Sequence, residues 1–490
     1  MPGHCRSARI QRVGTSALTL RRRRRLAAIF LLTAVCGGCA SFSPDGGMAP
    51  VNGIVAPELK SDAVKLSGAD PAGEAHARAA RLLGSALSAD AAVRVALLNN
   101  KGLQASYNEL GMAEAAMVEA SLPPNPTFSL SSIQTPVELD IERRIIADIL
   151  ALATLPARAE IAADRFRQAQ LRAALETLRL GFETRKAFYR AVAADELVAS
   201  LAQAASAAES AAKLARELGA TGAMNKLDQA REQAFAVELS AQLAAGRQRA
   251  ASERERLIRV LGLEDGGALK LPHALPPPPR APRALVAVET EAVRRRVDLK
   301  IARIEVDTLA KTYGLTNATR FINLLEVAGI SRTQRETGGA AGTGGGFEVD
   351  FQIPIFDFGE VRVRRAGEIY MRAVNRLSEL AVDARSQARD SYRAYRSSYD
   401  IAMRYRRDLL PLRKIIADET ALRYGAMQID VFALLTEARQ RIAANIAAIE
   451  AQRDFWLASS ALDAALAGGG GAAAENAARA PNLAIAGPDE

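Results

Sequence analysis

Cysteine is nearly absent from this chain: Cys5, Cys36 and Cys39 are its only three, and none follows residue 39. The long remainder has no cysteine pair for a disulfide, whatever compartment it occupies. Histidine is as scarce. Beyond residue 39 only His76 and His273 remain, far apart and in stretches that read as linkers. Neither has the neighbours that a metal centre requires, and no metal is expected. A phosphate-binding glycine loop and a nucleophile elbow are also missing, so the chain reads as no enzyme and needs no cofactor. After residue 39 no stretch holds 18 consecutive apolar residues, which excludes a membrane-spanning helix. A membrane crossing would have to be made by strands. Aromatic residues make up only 5% and alanine abounds, a balance that suits long helices better than a sandwich of short strands.

Charge of one sign is concentrated rather than general. The formal net charge is +9, yet eight arginines, Arg6, Arg9, Arg12 and Arg21 to Arg25, precede residue 39 with no acidic residue among them. Without them the chain is close to electrical balance, so a nucleic-acid partner loses its main support. The same arginines precede an apolar run from Leu26 to Val35, then Gly37, Gly38 and Cys39. That run is too short to span a bilayer and fits the core of a secretory signal, here residues 1–38. The junction resembles the lipobox of bacterial lipoproteins, with Cys36 where leucine is usual. The resemblance implies lipidation of Cys39; the alternative is ordinary signal cleavage with a free thiol. Ala40 in place of aspartate implies the outer rather than the inner membrane.

Residues 39–86 carry Pro44, Pro50, Pro57 and Pro71 with several glycines, a composition that predicts an extended segment. From Leu87 a helical pattern begins, with Ser88 as its cap, and it ends at Leu122-Pro123-Pro124. Strands are predicted at Thr127 to Ser132 and between Val137 and Leu155. From Ala157 to Leu218 a continuous helix would run about 90 Å. It breaks at Gly219 to Gly222, and another helix follows to Leu261, which makes an antiparallel hairpin. These elements form a first unit, 87–270.

After a stiff proline-rich link, 271–283, the order begins again as a second unit, 284–467. Leu299-Lys300-Ile301 parallels Leu103-Gln104-Ala105, and Glu305 parallels Glu109. A strand is predicted at Phe321 to Ile330 and a glycine-rich loop at Thr337 to Gly346. The clearest strand is Phe347 to Ile355, where apolar residues alternate with Glu348, Asp350 and Gln352. One face for lipid and one for water is the pattern of a barrel strand, although a half-buried soluble sheet alternates similarly. A long helix, Glu360 to Tyr424, is interrupted only by Gly367 and Pro411. In the last helix Leu435, Ile442, Ile449 and Trp456 recur every seven residues, a coiled-coil seam. The 468–490 tail, rich in glycine and alanine, is expected to be disordered.

Three motifs in this order carry a resemblance to the TolC-like outer-membrane efflux factor family across nearly the whole chain after residue 39. They are Ala91-Ala92-Val93-Arg94-Val95-Ala96-Leu97 with Asn99-Asn100, Leu122-Pro123-Pro124-Asn125-Pro126, and Pro354-Ile355-Phe356-Asp357-Phe358-Gly359. The resemblance implies a mainly α chain with a membrane β-barrel portion. The repeated helix-strand-strand-helix-helix unit would build a homotrimer, with a twelve-stranded barrel above a long α-helical periplasmic tunnel. Strand chemistry agrees, because four strands cannot close a barrel and lipid does not tolerate open edges. The implied function is the channel subunit of a tripartite efflux system. It would be a passive exit duct working with a periplasmic adaptor and an inner-membrane pump. The competing reading is a periplasmic adaptor or scaffold lipoprotein without a channel.

The resemblance also places candidate sites at the hairpin tips. Gly222, Ala223 and Met224, and Gly425, Ala426 and Met427, are the expected adaptor contacts. Arg423, Tyr424, Asp430 and Glu437 are the expected gate, against the alternative of solvated charges at a helix end. A ring of carboxylates from three subunits would favour cations. Met224 and Met427 offer soft sulfur ligands, though methionine at such a turn is more often a packing residue. Gly425-Ala426-Met427 with Val431-Phe432 and Leu434-Leu435 resembles relatives associated with heavy-metal efflux, which leans the cargo toward metal ions.

Overall fold

The computed structural model describes residues 41–468, apart from 67–70, 268, 285 and 337. The expected signal peptide, Cys39 and the tail beyond Gly468 lie outside the described residues.

Helices α1 (Met48–Leu59) and α2 (Pro71–Leu83) occupy the stretch predicted to be extended, which corrects that expectation. Met48, Val51, Val55 and Leu59 recur at helical spacing and bury one stripe. Pro50 falls in the first turn, where its missing N–H has no intrahelical bond to lose, and Pro57 interrupts only the last turn. The next helix is two helices, α3 (Ala89–Asn99) and α4 (Lys101–Ser121). Ser88 caps the first as expected, its Oγ accepting from the Ala91 N–H at 3.2 Å. Asn100 makes the break. Its backbone is extended, its Oδ1 accepts from the Leu103 N–H at 3.0 Å, and its Nδ2 donates to the Val260 carbonyl at 3.1 Å.

Strands β1 (Thr127–Gln134) and β2 (Glu138–Asp148) follow, and β2 runs directly into α5 (Ile149–Ala220). Asp148 caps that helix by accepting from the Ala151 N–H at 2.8 Å, so it starts eight residues before the predicted position and carries Pro156 in an early turn. Its 72 residues span about 108 Å. Helix α6 (Lys226–Leu261) returns beside it.

The second half runs through α7 (Val288–Arg295), α8 (Val297–Ala318), β3 (Leu325–Glu336) and β4 (Gly342–Phe351). It continues with α9 (Glu360–Arg404), a five-residue π-turn at Tyr405–Leu409, α10 (Leu410–Gly425) and α11 (Val431–Ala467). The π-turn is the interruption tied to Pro411, which cannot donate to the preceding turn and whose ring crowds the carbonyl four residues back. Gly367 causes no break. The order helix, helix, strand, strand, long helix, helix thus occurs twice, when α9, the π-turn and α10 are taken together as the long helix of the second half.

Arg296 breaks α7 from α8 as Asn100 breaks α3 from α4. Its guanidinium is buried, pairs with Asp298, and donates to Gln387 Oε1 at 3.0 Å and to the Ala465 carbonyl at 3.2 Å. In each half the break residue therefore binds a carbonyl near the end of the last helix, Val260 or Ala465.

The four strands form one antiparallel sheet in the order β1-β2-β3-β4, with Phe128 opposite Ile145, Ile145 opposite Gly329 and Gly329 opposite Phe347. The clearest predicted strand is displaced. It begins at Gly342, inside the predicted loop, and ends at Phe351. Residues 352–355 instead enter the turn to α9, where Gly359 is obligatory. Its φ is 74°, and a Cβ there would lie 2.2 Å from the Arg320 carbonyl oxygen.

Below the sheet, α1, α3 and α4 pack Val55, Leu97, Tyr107 and Leu110 against Leu178 and Phe182 of α5. The Tyr107 hydroxyl bonds Thr177 at 2.8 Å. Burial pushes its pKa up to about 12, against the lowering effect of that bond, so the phenol stays neutral. A second cluster joins Phe188, Tyr189, Leu257 and Leu261, and a third joins Tyr395, Tyr399 and Phe455. Trp456, on the predicted seam, stacks on Tyr189 with centroids 5.0 Å apart and donates to the Pro276 carbonyl at 2.7 Å. Among the described residues no helix is long and apolar enough to cross a membrane.

Candidate functional site at the hairpin tips and the sheet

Both hairpins end in the same backbone motif. After α5 the Gly222 N–H donates to the Gly219 carbonyl at 3.1 Å, and the Ala223 N–H to Leu218 at 2.8 Å. After α10 the Met427 N–H donates to Tyr424 at 3.0 Å, and the Gln428 N–H to Arg423 at 2.9 Å. This is the Schellman end, in which one residue takes a left-handed conformation. Gly222 fills that place in the first tip with φ 77°, and Met427 fills it in the second with φ 58°. The shared letters Gly-Ala-Met are therefore not equivalent positions; the backbone pairs Gly222 with Met427 and Met224 with Ile429. Met224 is buried, whereas the Met427 side chain is 93% exposed, so the two sulfurs meet unlike surroundings. The methionine conformation costs about 1–2 kcal/mol that glycine would not incur.

Each following helix is capped alike. Asn225 Oδ1 accepts from the Asp228 N–H at 2.9 Å, and Asp430 Oδ1 from the Ala433 N–H at 2.9 Å. Asp430, an expected gate residue, is thus occupied as a cap. Arg423 pairs with Glu419 on the exposed side of α10 at 2.9 Å, an i,i+4 pair worth little in water. Tyr424 is partly exposed. Glu437 is buried and accepts from Arg413 Nη1 at 3.1 Å. Within the chain Arg423, Asp430 and Glu437 engage separate partners.

A polar network that sequence reasoning missed lies one level above the tips. Glu232 occupies in α6 the place that Glu437 occupies in α11, seven residues after the cap, and it too is buried. It accepts from Arg439 Nη2 at 2.5 Å, and the Arg439 guanidinium lies over the Phe235 ring at 4.5 Å. Arg439 belongs to α11 and Glu232 to α6, so this pair ties one hairpin to the other. Arg413 adds Gln440 to its bond with Glu437, which ties α10 to α11. Glu437 Oε1 and Arg439 Nε are buried without a hydrogen-bond partner among the described residues.

The hairpin flanks differ. In α5, Leu197, Leu201, Ala204, Ala208, Ala212 and Ala215 form a buried stripe at three- and four-residue spacing. Helix α10 has no buried residue, and Leu412, Ile415, Ile416 and Leu422 are exposed on it.

The sheet has two unlike faces. Phe128, Ile145, Phe347 and Phe351 share one face by register and are exposed. The other face carries ion pairs, Asp140 with Arg332 between neighbouring β2 and β3, and Arg144 of β2 with Glu348 of β4 across β3.

No family model and no curated protein matches the chain. Solved structures do. CusC, studied for folding and transmembrane channel formation, is 15% identical over 80% of this chain and 94% of its own, with a TM-score of 0.65. The outer-membrane channel OprN is 17% identical over 89% of this chain and 97% of its own, at a TM-score of 0.65. The open state of the Neisseria gonorrhoeae MtrE outer-membrane channel is 15% identical over 77% and 89%, also at 0.65. The fold is that of TolC-like outer-membrane channels.

Proposed function

We propose that this chain is one protomer of a homotrimeric outer-membrane channel, the passive exit duct of a tripartite efflux system. The observation that carries the reading is the sheet. Its apolar face is exposed, its other face is polar, and both of its edges, β1 and β4, are unpaired among the described residues. In lipid such edges must find partners. Strand β4 runs opposite to β1, so joining the two edges between copies continues the antiparallel pattern. Three copies then supply twelve strands, an even number in the range of bacterial barrels. The repeated element order supports two copies of one unit per chain, giving twelve helical staves below the barrel.

The tips serve as the contacts for a periplasmic adaptor, which links the duct to an inner-membrane pump. Gating belongs to the second hairpin, where Arg423, Tyr424, Asp430 and Glu437 surround the narrow end. A signal peptide and acylated Cys39 deliver and anchor the chain. The cargo is metal ions or small toxic compounds, with the lean toward metals resting on the second tip.

The test is deletion of Gly342–Phe351 with readout of trimer assembly and of conductance in planar bilayers. A channel protomer loses both. A periplasmic scaffold without a channel keeps its assembly and never conducts. Sensitivity of a knockout to copper and silver but not to dyes would support the metal cargo; equal sensitivity to all would count against it.

A further inference from the structure

Charge is segregated across the sheet more completely than a lumen requires. By register, all eight carboxylates of the four strands, from Glu138 to Asp350, lie on one face together with Arg144 and Arg332. The opposite face carries only two charges, Arg143 and Arg335, both exposed guanidiniums. Arg143 Nη1 donates to Thr333 Oγ1 at 3.3 Å, so a hydroxyl on the same face steadies it.

That face is also divided by height. Its lower rows hold Phe128, Ile145, Val327, Phe347, Val349 and Phe351, toward the helices, whereas in the upper rows Leu130, Ile141 and Leu139 alternate with Ser132, Gln134, Ser331, Thr333, Arg143 and Arg335. Exposed Ile353, Ile355 and Phe356 extend the apolar band beyond the strand end. From Leu325 to Ser331, the residue opposite Arg143, a strand climbs about 20 Å along its axis. Strand tilt shortens that rise to about 15 Å along the membrane normal, and the residues below extend it toward the apolar belt of about 25 Å. Arg143 and Arg335 then fall at its upper edge and above it, beside Ser132 and Thr333. An arginine facing mid-bilayer costs about 2–4 kcal/mol, and one near the interface about 0–1 kcal/mol. The basic half of the face thus belongs at the outer headgroup level, and no carboxylate on that face neutralises it.

We propose that Arg143 and Arg335 bind phosphate groups of a phosphorylated glycolipid in the outer leaflet. Guanidinium forks match phosphate oxygens, and the neighbouring hydroxyls supply further hydrogen bonds. The proposal rests on the outer-membrane reading above.

The full-length protein is reconstituted into phosphatidylcholine vesicles doped with bis-phosphorylated lipid A or its dephosphorylated counterpart. Lipid retained after detergent extraction is then counted by native mass spectrometry. The wild type is expected to favour the phosphorylated lipid roughly fivefold per arginine. The Arg143→Gln, Arg335→Gln double variant is expected to lose that preference while keeping its conductance. Equal retention of both lipids by the wild type overturns the proposal, as does a double variant that keeps the wild-type preference. Should the double variant fail to assemble, the wild-type comparison of the two lipids decides alone. Failure to insert into either vesicle sinks the outer-membrane reading and the proposal with it, whereas insertion without preference sinks only the proposal.

Discussion

The two hairpins share a backbone plan and differ in what their side chains do with it. The first closes on glycine at its left-handed position and packs an alanine-rich stripe along α5. The second forces methionine into the same position, carries a π-turn before Pro411, and leaves α10 without a buried residue in the protomer. Small buried side chains let helices approach closely and fix their relation. Helix α10 is held to α11 through Arg413 with Glu437 and Gln440, but its apolar side chains stay exposed. The first hairpin thus buries its apolar stripe within the chain, and on the proposed trimer the second would be completed by assembly.

The helix breaks offer the largest test of the parallel between halves. Arg296→Ala would strand Asp298 as an unpaired buried carboxylate, an expected loss of about 3–5 kcal/mol. Asn100→Ala removes a cap and one cross-bond and should cost about 1 kcal/mol. Denaturant unfolding of the two variants, or their melting temperatures, would measure the difference. Equal losses would mean that the ion pair adds nothing to the break.

Next in size is the tie between hairpins. Arg439→Ala leaves Glu232 buried without its partner. Because the Arg439 side chain is itself 33% exposed, the expected cost is about 2 kcal/mol rather than the full buried-pair value. Hydrogen exchange should quicken near the tips of α6 and α11 and stay unchanged around Phe182. Uniform quickening would show a global rather than a local role.

The tips themselves give effects of opposite sign. Met427→Gly should stabilise the second turn by about 1 kcal/mol, and Gly222→Ala should destabilise the first by about as much. No atom lies within 4 Å of a Cβ built on Gly222, so that loss would be conformational rather than steric. Two changes of the same sign would contradict the backbone equivalence of these residues. Smallest of all, Arg423→Ala breaks only an exposed pair and should leave protomer stability within about 0.5 kcal/mol of wild type.

Much of this is legible in the sequence, and each failure has its own physical cause. Helices, strand pairs and the hairpin plan follow from apolar spacing, glycines and prolines. Strand β4 is misplaced because Gly342, Gly344, Gly345 and Gly346 have no side chains to show alternation, while Ile353 and Ile355 continue it past the strand's end. Helix α1 is hidden by prolines that fall in its terminal turns. At the tips, letters mislead by two residues, because a Schellman end is set by hydrogen bonds rather than by identity. Glu437 is legible as a site, but Glu232 and Arg439 look like ordinary solvated helix charges until the two hairpins are set side by side.

The central claim is that the open sheet is one third of a barrel, joined β1 to β4 between copies. Ser129→Cys on β1, combined with single cysteines scanned from Thr343 to Val349 on β4, tests it in oxidised membranes. Only pairs with Cα atoms within about 7 Å can bridge. The account predicts that one register yields a covalent ladder ending at three chains. No intermolecular bridge at any register, or a ladder ending at two chains, would contradict it.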